Sequence, residues 1–262
     1  MTRRTGTKEW SDSSANVSVG CSNRCLYCYA AAMMIRLHRK TPQTWPIEEP
    51  KKLPASCRKR KGRVMLPTTH DITPGTVDAV IALARRLLAA GNELLIVSKP
   101  RLALTKLLLD EIQDAAYDAR ALVTLRFTIG SGNDATLSFW EPGAPRIMER
   151  LASLVFAFHD GWRTSVSMEP MLDHREHMVG LVETVAPFVT DTIWLGMMRH
   201  ARARLAHNGV VFAEVRARLE QLERWQSDDE IRLLHAALRG HPKVRWKESI
   251  AEALGLDAEE VG

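Results

Sequence analysis

Cys21, Cys25 and Cys28 fall within one short segment, GCSNRCLYCYA, and only one other cysteine, Cys57, occurs in the 262 residues. Neighbours this close would form disulfide loops too small to stabilise a fold, so reduced thiols that bind metal or act in catalysis are the better reading. Thiolates spaced C-x3-C-x2-C on a loop can converge on one iron–sulfur cube, and three ligands for four irons leave one iron open to an exogenous group. Zinc is the competing reading. It wants four tetrahedral ligands, and only Cys57 or a histidine such as His38 is available to complete the set.

The trio follows an alternating apolar run and precedes a helical pattern, and the same alternation continues along the chain. Strands are expected at 16–20, 63–68, 93–99, 122–130, 163–169 and 191–197, and helices at 28–38, 76–91, 101–116, 144–161 and 174–189. Strand-then-helix units at this spacing predict an α/β fold, a partial (β/α)6 TIM-type barrel, with a doubly wound open sheet as the alternative. The whole chain, 1–262, reads as a single domain with its core at about 16–198. From about 199 to 262 the pattern is helical, with a last possible strand at 243–247, and predicts an extension packed on the barrel. In such folds chemistry sits where strands end and helices begin. The segments TTHD (68–71), SKP (98–100), TIGSGND (128–134) and SMEPM (167–171) all fall there.

Composition narrows the class. The formal charge is +5, with 45% hydrophobic and 26% charged residues, and no apolar run is long enough for a membrane span. No apolar stretch follows the arginines of MTRRTGTKEWSDSS, so no secretory signal is expected and a cytoplasmic location is. Residues Lys51 to Arg63, KKLPASCRKRKGR, carry seven Lys or Arg and no acid. They read either as a solvated loop or as a sequence-independent footprint for nucleic acid. His70, His159, His174, His177 and His200 show no metal-ligand spacing, and no phosphate-loop or G-x-S-x-G motif occurs.

GCSNRCLYCYA resembles the signature of the radical S-adenosylmethionine superfamily, C-x3-C-x-aromatic-C, with Tyr27 in the aromatic place. HDITP, SKP, FWEPGAPRIMERL and RTSVSMEPML resemble the spore photoproduct lyase-like branch, over roughly residues 16–200. The resemblance implies that Cys21, Cys25 and Cys28 hold a [4Fe-4S] cluster whose open iron chelates S-adenosylmethionine. A reductase or flavodoxin-type donor would supply the electron that releases a 5′-deoxyadenosyl radical, which takes hydrogen from substrate. It places Tyr27 near the adenine, Asp71 at the methionine amino group, Lys99 at its carboxylate, Thr128 and Ser131 at carboxylate or ribose, and Glu169 near the ribose. Four of these have a plainer reading beside them: Tyr27 as core, Asp71 as a helix cap, Lys99 as a solvated strand end, Glu169 as a loop cap. Thr69 stands where the lyase has its hydrogen-donating cysteine, so the lyase reaction itself is not expected, and Cys57 is the substitute donor candidate. The substrate expectation is nucleic acid, for repair or modification, through the basic loop. The alternatives are radical chemistry on a peptide or small metabolite, or a non-catalytic zinc module that binds nucleic acid.

Overall fold

A computed structural model describes residues 5–256. Its strands in chain order are β1 (Ser13–Ser14), β2 (Ser18–Val19), β3 (Glu49–Pro50), β4 (Val64–Leu66), β5 (Leu94–Ser98), β6 (Val123–Thr128), β7 (Arg163–Met168), β8 (Ile193–Leu195) and β9 (Val244–Trp246). The helices that cover or cap them are α1 (Tyr29–Arg36), α2 (Val77–Ala89), α3 (Leu102–Ile112), α4 (Ala119–Leu122), α5 (Asp134–Trp140), α6 (Ile147–His159), α7 (Arg175–Val185), α8 (Ala201–His207), α9 (Ala213–Trp225), α10 (Asp228–Leu238) and α11 (Glu248–Leu254). Seven strands form one parallel sheet in the order β1-β4-β5-β6-β7-β8-β9. This is the partial (β/α) barrel.

The strands are short and apolar because helices cover their outer side, and parallel ladders need that cover. Strand β6 shows how the inner side differs. Leu125 and Phe127 join the apolar core, whereas Arg126 bonds Ser165 and Thr192 across the neighbouring strands. Side chains alternate along a strand, so a period of two puts Arg126 and Thr128 on the face opposite the core. The inner face is therefore polar where the outer is aliphatic.

The extension from 199 onward does more than pack outside. Its strand β9 pairs with β8 as the last strand of the sheet, and Lys247 and Glu248 just beyond it grip the N-terminal segment. The Lys247 ammonium is 2% exposed, donates to the Gly6 carbonyl at 2.7 Å and pairs with Glu9. Glu248 accepts from the Gly6 N–H at 2.9 Å, and its own N–H donates to Glu9 at 3.0 Å. Trp10 then lies edge-on to Trp194, with Arg126 over its ring at 4.7 Å and Lys247 at 4.3 Å. Residues 5–10 thus form a strap from the β1 edge to the β9 edge.

The first expected strand needs correction. Residues 16–20 do not enter the main sheet: β1 lies earlier, at Ser13–Ser14, and Ser18–Val19 pairs antiparallel with Glu49–Pro50. The backbone N–H groups of Val17 and Ser18 are taken by His70 Nε2, at 3.0 and 3.3 Å, so the alternating run has no ladder partner on the β4 side. Helix α5 lies in a segment read as loop. Its Asn133 cap accepts from the Ala135 and Thr136 N–H groups, a start signal hidden inside TIGSGND.

Glu9→Gln would leave Lys247 buried with only Glu169, 3.6 Å away, as a charged partner. The expected cost is about 1–3 kcal/mol, below that of breaking an isolated buried pair because one carboxylate remains. Chemical denaturation of the variant against the parent measures it.

Candidate active site

The cysteine loop, 20–28, has almost no regular structure of its own, so neighbours must hold it. On one flank the Cys21 N–H donates to the Trp45 carbonyl at 3.1 Å and the Ser22 N–H to Glu48 at 2.9 Å. Gly20 sits at φ +104°, and a Cβ there would overlap the Ile47 carbonyl oxygen, so only glycine allows this approach. The opposite flank is the turn after α5. The Leu26 N–H donates to Trp140 O at 2.9 Å and the Gly143 N–H to Asn23 O at 2.9 Å. A Cβ on Gly143 would run into the Ser22 carbonyl. From a third side, Asn208 Nδ2 donates to the carbonyls of Leu26 and Cys28, at 2.8 and 3.1 Å.

Two buried carboxylates fasten this loop to the barrel. Asp71, after β4, accepts from Asn23 Nδ2 at 2.7 Å, Ser98 Oγ at 2.6 Å, the Ile72 N–H at 2.7 Å and the Lys99 N–H at 3.1 Å. Its oxygens tie the cysteine loop to the end of β5. Glu141, 1% exposed, accepts from the Tyr27 hydroxyl and from Arg150 Nη2 at 2.5 Å, and lies 3.8 Å from Lys99 Nζ. Burial alone would raise the Glu141 pKa, but Lys99 and Arg150 outweigh it and hold the carboxyl below its usual range. Lys99 is shifted the other way: burial opposes its charge, while Cys25 and Glu141 more than restore it.

All three cysteines line one cavity of about 430 Å3 at the C-terminal ends of the strands. Tyr27, Asp71, Lys99, Thr128 and Glu169 line it as well, as does Thr69. Ser131 and Cys57 do not. Ser131 is fully buried and donates to Asp173 at 2.5 Å, and Cys57 packs partly against the core from the basic loop. Burial pushes the Cys21 thiol up to about 12, lifts Cys25 well above the ordinary thiol range, and raises Cys28. Against that, Cys28 caps α1, with the Ala31 N–H donating to its sulfur at 3.4 Å. Such thiols become thiolates only beside strong positive charge.

An iron–sulfur cluster or a zinc ion would supply that charge. Cys57 and His38 are absent from the cavity lining, whereas His70 and His200 belong to it. Among the described residues, no group of three or more Cys, His, Asp or Glu side chains is already drawn together around a metal-sized point. Three sulfurs facing one shared space suit a group in which each binds a different iron.

At the far end of the cavity the lining changes. Glu169 faces Lys247 at 3.6 Å, and burial raises its pKa against the opposing pull of Lys247. Trp10, Met197, Met198 and His200 line the cavity together with Thr5, Gly6 and Thr7 of the strap, and Arg204 lines it within electrostatic reach of both Glu169 and Cys28. Sequence reading missed Glu141, Arg150, Lys247 and Trp10. Arg150 carried a signal: it falls at helical spacing with Ile147, Leu154 and Ala157 on the buried stripe of α6, and a charge on such a stripe requires a buried partner.

No family model and no curated protein matches the chain. Solved structures do. The chain is similar to Streptococcus suis SuiB bound to S-adenosylmethionine, with 10% identity and a TM-score of 0.55, over 95% of this chain and 53% of that one. SuiB bound to the precursor peptide SuiA gives 10% identity and 0.52, over 93% and 50%. Coproporphyrinogen III oxidase, HemN, from Escherichia coli, described as a radical SAM enzyme, gives 14% identity and 0.50, over 86% and 51%. The chain spans about half the length of these structures. At such identities the likeness is one of fold: this is the partial barrel that HemN and SuiB also have.

Two outcomes follow from this geometry. Gly143→Ala should cost about 1–3 kcal/mol by overpacking the cysteine loop and should lower the iron retained after anaerobic reconstitution. Gly180→Ala, where nothing lies within 4 Å of a new Cβ, should leave iron retention unchanged. The second outcome concerns pH. His70 donates through Nδ1 to the Asp71 carbonyl and accepts two N–H groups at Nε2, and burial lowers its pKa below 6.5. As pH falls, the unfolded chain takes up the His70 proton first, so this stability is complete above about pH 6.5 and is lost as pH drops through the folded value. Denaturation midpoints between about pH 7 and about pH 5 should fall less steeply in His70→Gln.

Proposed function

We propose that the chain is a radical S-adenosylmethionine enzyme in which Cys21, Cys25 and Cys28 hold a [4Fe-4S] cluster. The observation that carries this reading is that the three thiols face one cavity at the C-terminal mouth of a partial barrel shared with HemN and with SuiB bound to S-adenosylmethionine. Such a cluster, when bound, supplies one-electron reductive cleavage of S-adenosylmethionine. The chain's own residues bind, orient and exclude water. Tyr27 and Lys99, both held by Glu141, form the wall beside Cys25. Asp71 has its oxygens occupied by protein donors, so its part is to position the Asn23 turn and the β5 end, and not to grip a ligand directly. Thr128 and Glu169 stand across the cavity, where they can meet the sugar or the substrate. The strap and Met198 close the far end against water.

For substrate we infer a small molecule, or a single residue projected from a larger one. The latter part of the basic loop, Arg58 to Arg63, is anchored at the N-terminal ends of the strands: Asn92, just before β5, accepts from the Arg60 N–H at 2.7 Å and donates to the Arg58 carbonyl at 3.2 Å. A polymer held there lies at the wrong end of the barrel for the cavity. A peptide substrate is the second reading, favoured by SuiB, whose fold is shared and which is bound to a precursor peptide. Cys57, outside the cavity, is not retained as hydrogen donor. No helix among the described residues is long and apolar enough to cross a membrane.

Anaerobic reconstitution should give about four irons per chain. Cys25→Ala should lose the cluster and, after dithionite, form no 5′-deoxyadenosine from S-adenosylmethionine, whereas Cys57→Ala should keep both. Full cluster content in Cys25→Ala would refute the ligand assignment. Glu141→Gln should destabilise the fold by about 3–5 kcal/mol by leaving Arg150 and Lys99 buried without their carboxylate.

A further inference from the structure

One surface beside the cysteine loop has no part in the chemistry above. The sequence has no Asp or Glu between Asp12 and Glu48, nor between Asp191 and Glu214. The fold brings these two acid-free stretches together, because α1 packs along α8 and Asn208 bonds the loop on both sides of Tyr27. Not every cation in them is free. Lys40 is buried against Glu49, Arg199 is paired with Glu248 and Glu252, and Arg202 with Glu223. Arg24, Arg36 and Arg39, all exposed, have no ion pair among the described residues, whereas Arg204 belongs to the cavity lining.

Between these charges runs an apolar strip. Tyr29, Met33 and Leu37 recur every fourth residue on α1 and its end, and are 40%, 37% and 49% exposed. The turn after α8 packs its Gly209 on Pro42 and leads into Val211 and Phe212, 53% and 67% exposed. Helix α1 meanwhile buries Ala30, Ala31 and Ala32 and packs Met34 and Ile35 against the core, while Tyr29 and Met33 are turned outward. A solvated helix has no reason for that arrangement. An apolar strip rimmed by one sign of charge is the anatomy of a protein interface, and its charge selects an acidic partner. A phosphate polymer would gain nothing from covering Met33, Leu37 and Phe212.

We propose that the α1–α8 face docks an acidic protein and, resting on the reading of the cysteines as cluster ligands, that this protein is the one-electron donor. The strip begins at Tyr29, next to Cys28, so a carrier seated on it lies against the helix that Cys28 caps. The reduced carrier is oxidised by one electron, which passes to the cluster. The test uses the reconstituted chain and a flavodoxin of net negative charge as probe, followed by calorimetry. Binding should weaken at least about tenfold between about 50 and about 300 mM salt. It should weaken by a similar factor in Arg36→Glu/Arg39→Glu and in Met33→Ser/Leu37→Ser. In both double variants flavodoxin-driven formation of 5′-deoxyadenosine should fall in proportion, with the dithionite-driven rate unchanged. No flavodoxin binding, or binding indifferent to both variants, overturns the proposal. So does loss of binding to a DNA duplex of about 20 base pairs in place of flavodoxin, which would give the face to nucleic acid. Iron content and the dithionite-driven reaction test the cluster separately, so a failed cluster with intact docking is told apart from failed docking.

Discussion

An irregular loop that must present three thiols to one point cannot hold itself, and in this chain the fastening is done from outside by buried polar groups. Asp71 and Glu141 are the two that matter most, because each joins the cysteine loop to a different part of the barrel. A buried carboxylate is costly unless its oxygens are all engaged, and a fully engaged one fixes its partners' positions closely. Asp71 meets that condition with four donors. Glu141 meets it with Tyr27, Arg150 and Lys99. The geometry of the thiols is therefore inherited from the strand ends, the most rigid part of the fold.

The same logic divides the cavity into two ends. Beside the cysteines, Lys99 stands between the Cys25 sulfur and Glu141, in surroundings where burial disfavours every charge unless another compensates it. At the far end, Lys247 is shared by Glu9, Glu169 and the Gly6 carbonyl, and it carries the strap that completes the barrel wall. Buried ion sets contribute little net stability, but removing one member leaves an uncompensated charge. Such sets specify arrangement more than they add strength. This account explains how a chain of about half its structural neighbours' length, with 10–14% identity, keeps a built cavity: the barrel and its buried pairs suffice for that.

Much of this was legible from residues alone. The period-two and helical runs located β4 to β8 and the helices α2, α3, α6 and α7, because one face of those strands and one stripe of those helices are apolar. Local pattern failed where partners distant in sequence decide. Residues 16–20 alternate like a strand, yet His70 takes the N–H groups of Val17 and Ser18, whereas the possible strand at 243–247 does form, as β9, and joins the sheet itself. In the site, the cysteines were singled out by type and spacing, and Tyr27, Asp71, Lys99, Thr128 and Glu169 by the resemblance; all of them line the cavity. Ser131 was chosen on the same grounds and instead binds Asp173, since a strand-end serine can turn toward the next loop as readily as toward the mouth. Glu141, Lys247 and Trp10 were invisible because their meaning lies in contacts that span the chain, as between Glu9 and Lys247.

The central claim is that the three thiols hold a cluster with one iron left open to S-adenosylmethionine. Electron spin resonance of the anaerobically reconstituted, dithionite-reduced protein, recorded as S-adenosylmethionine is added, tests it directly. The account predicts a reduced-cluster signal that changes shape and saturates at about one equivalent of the added compound. A signal that ignores the compound, or a protein that binds zinc in place of iron, would contradict it.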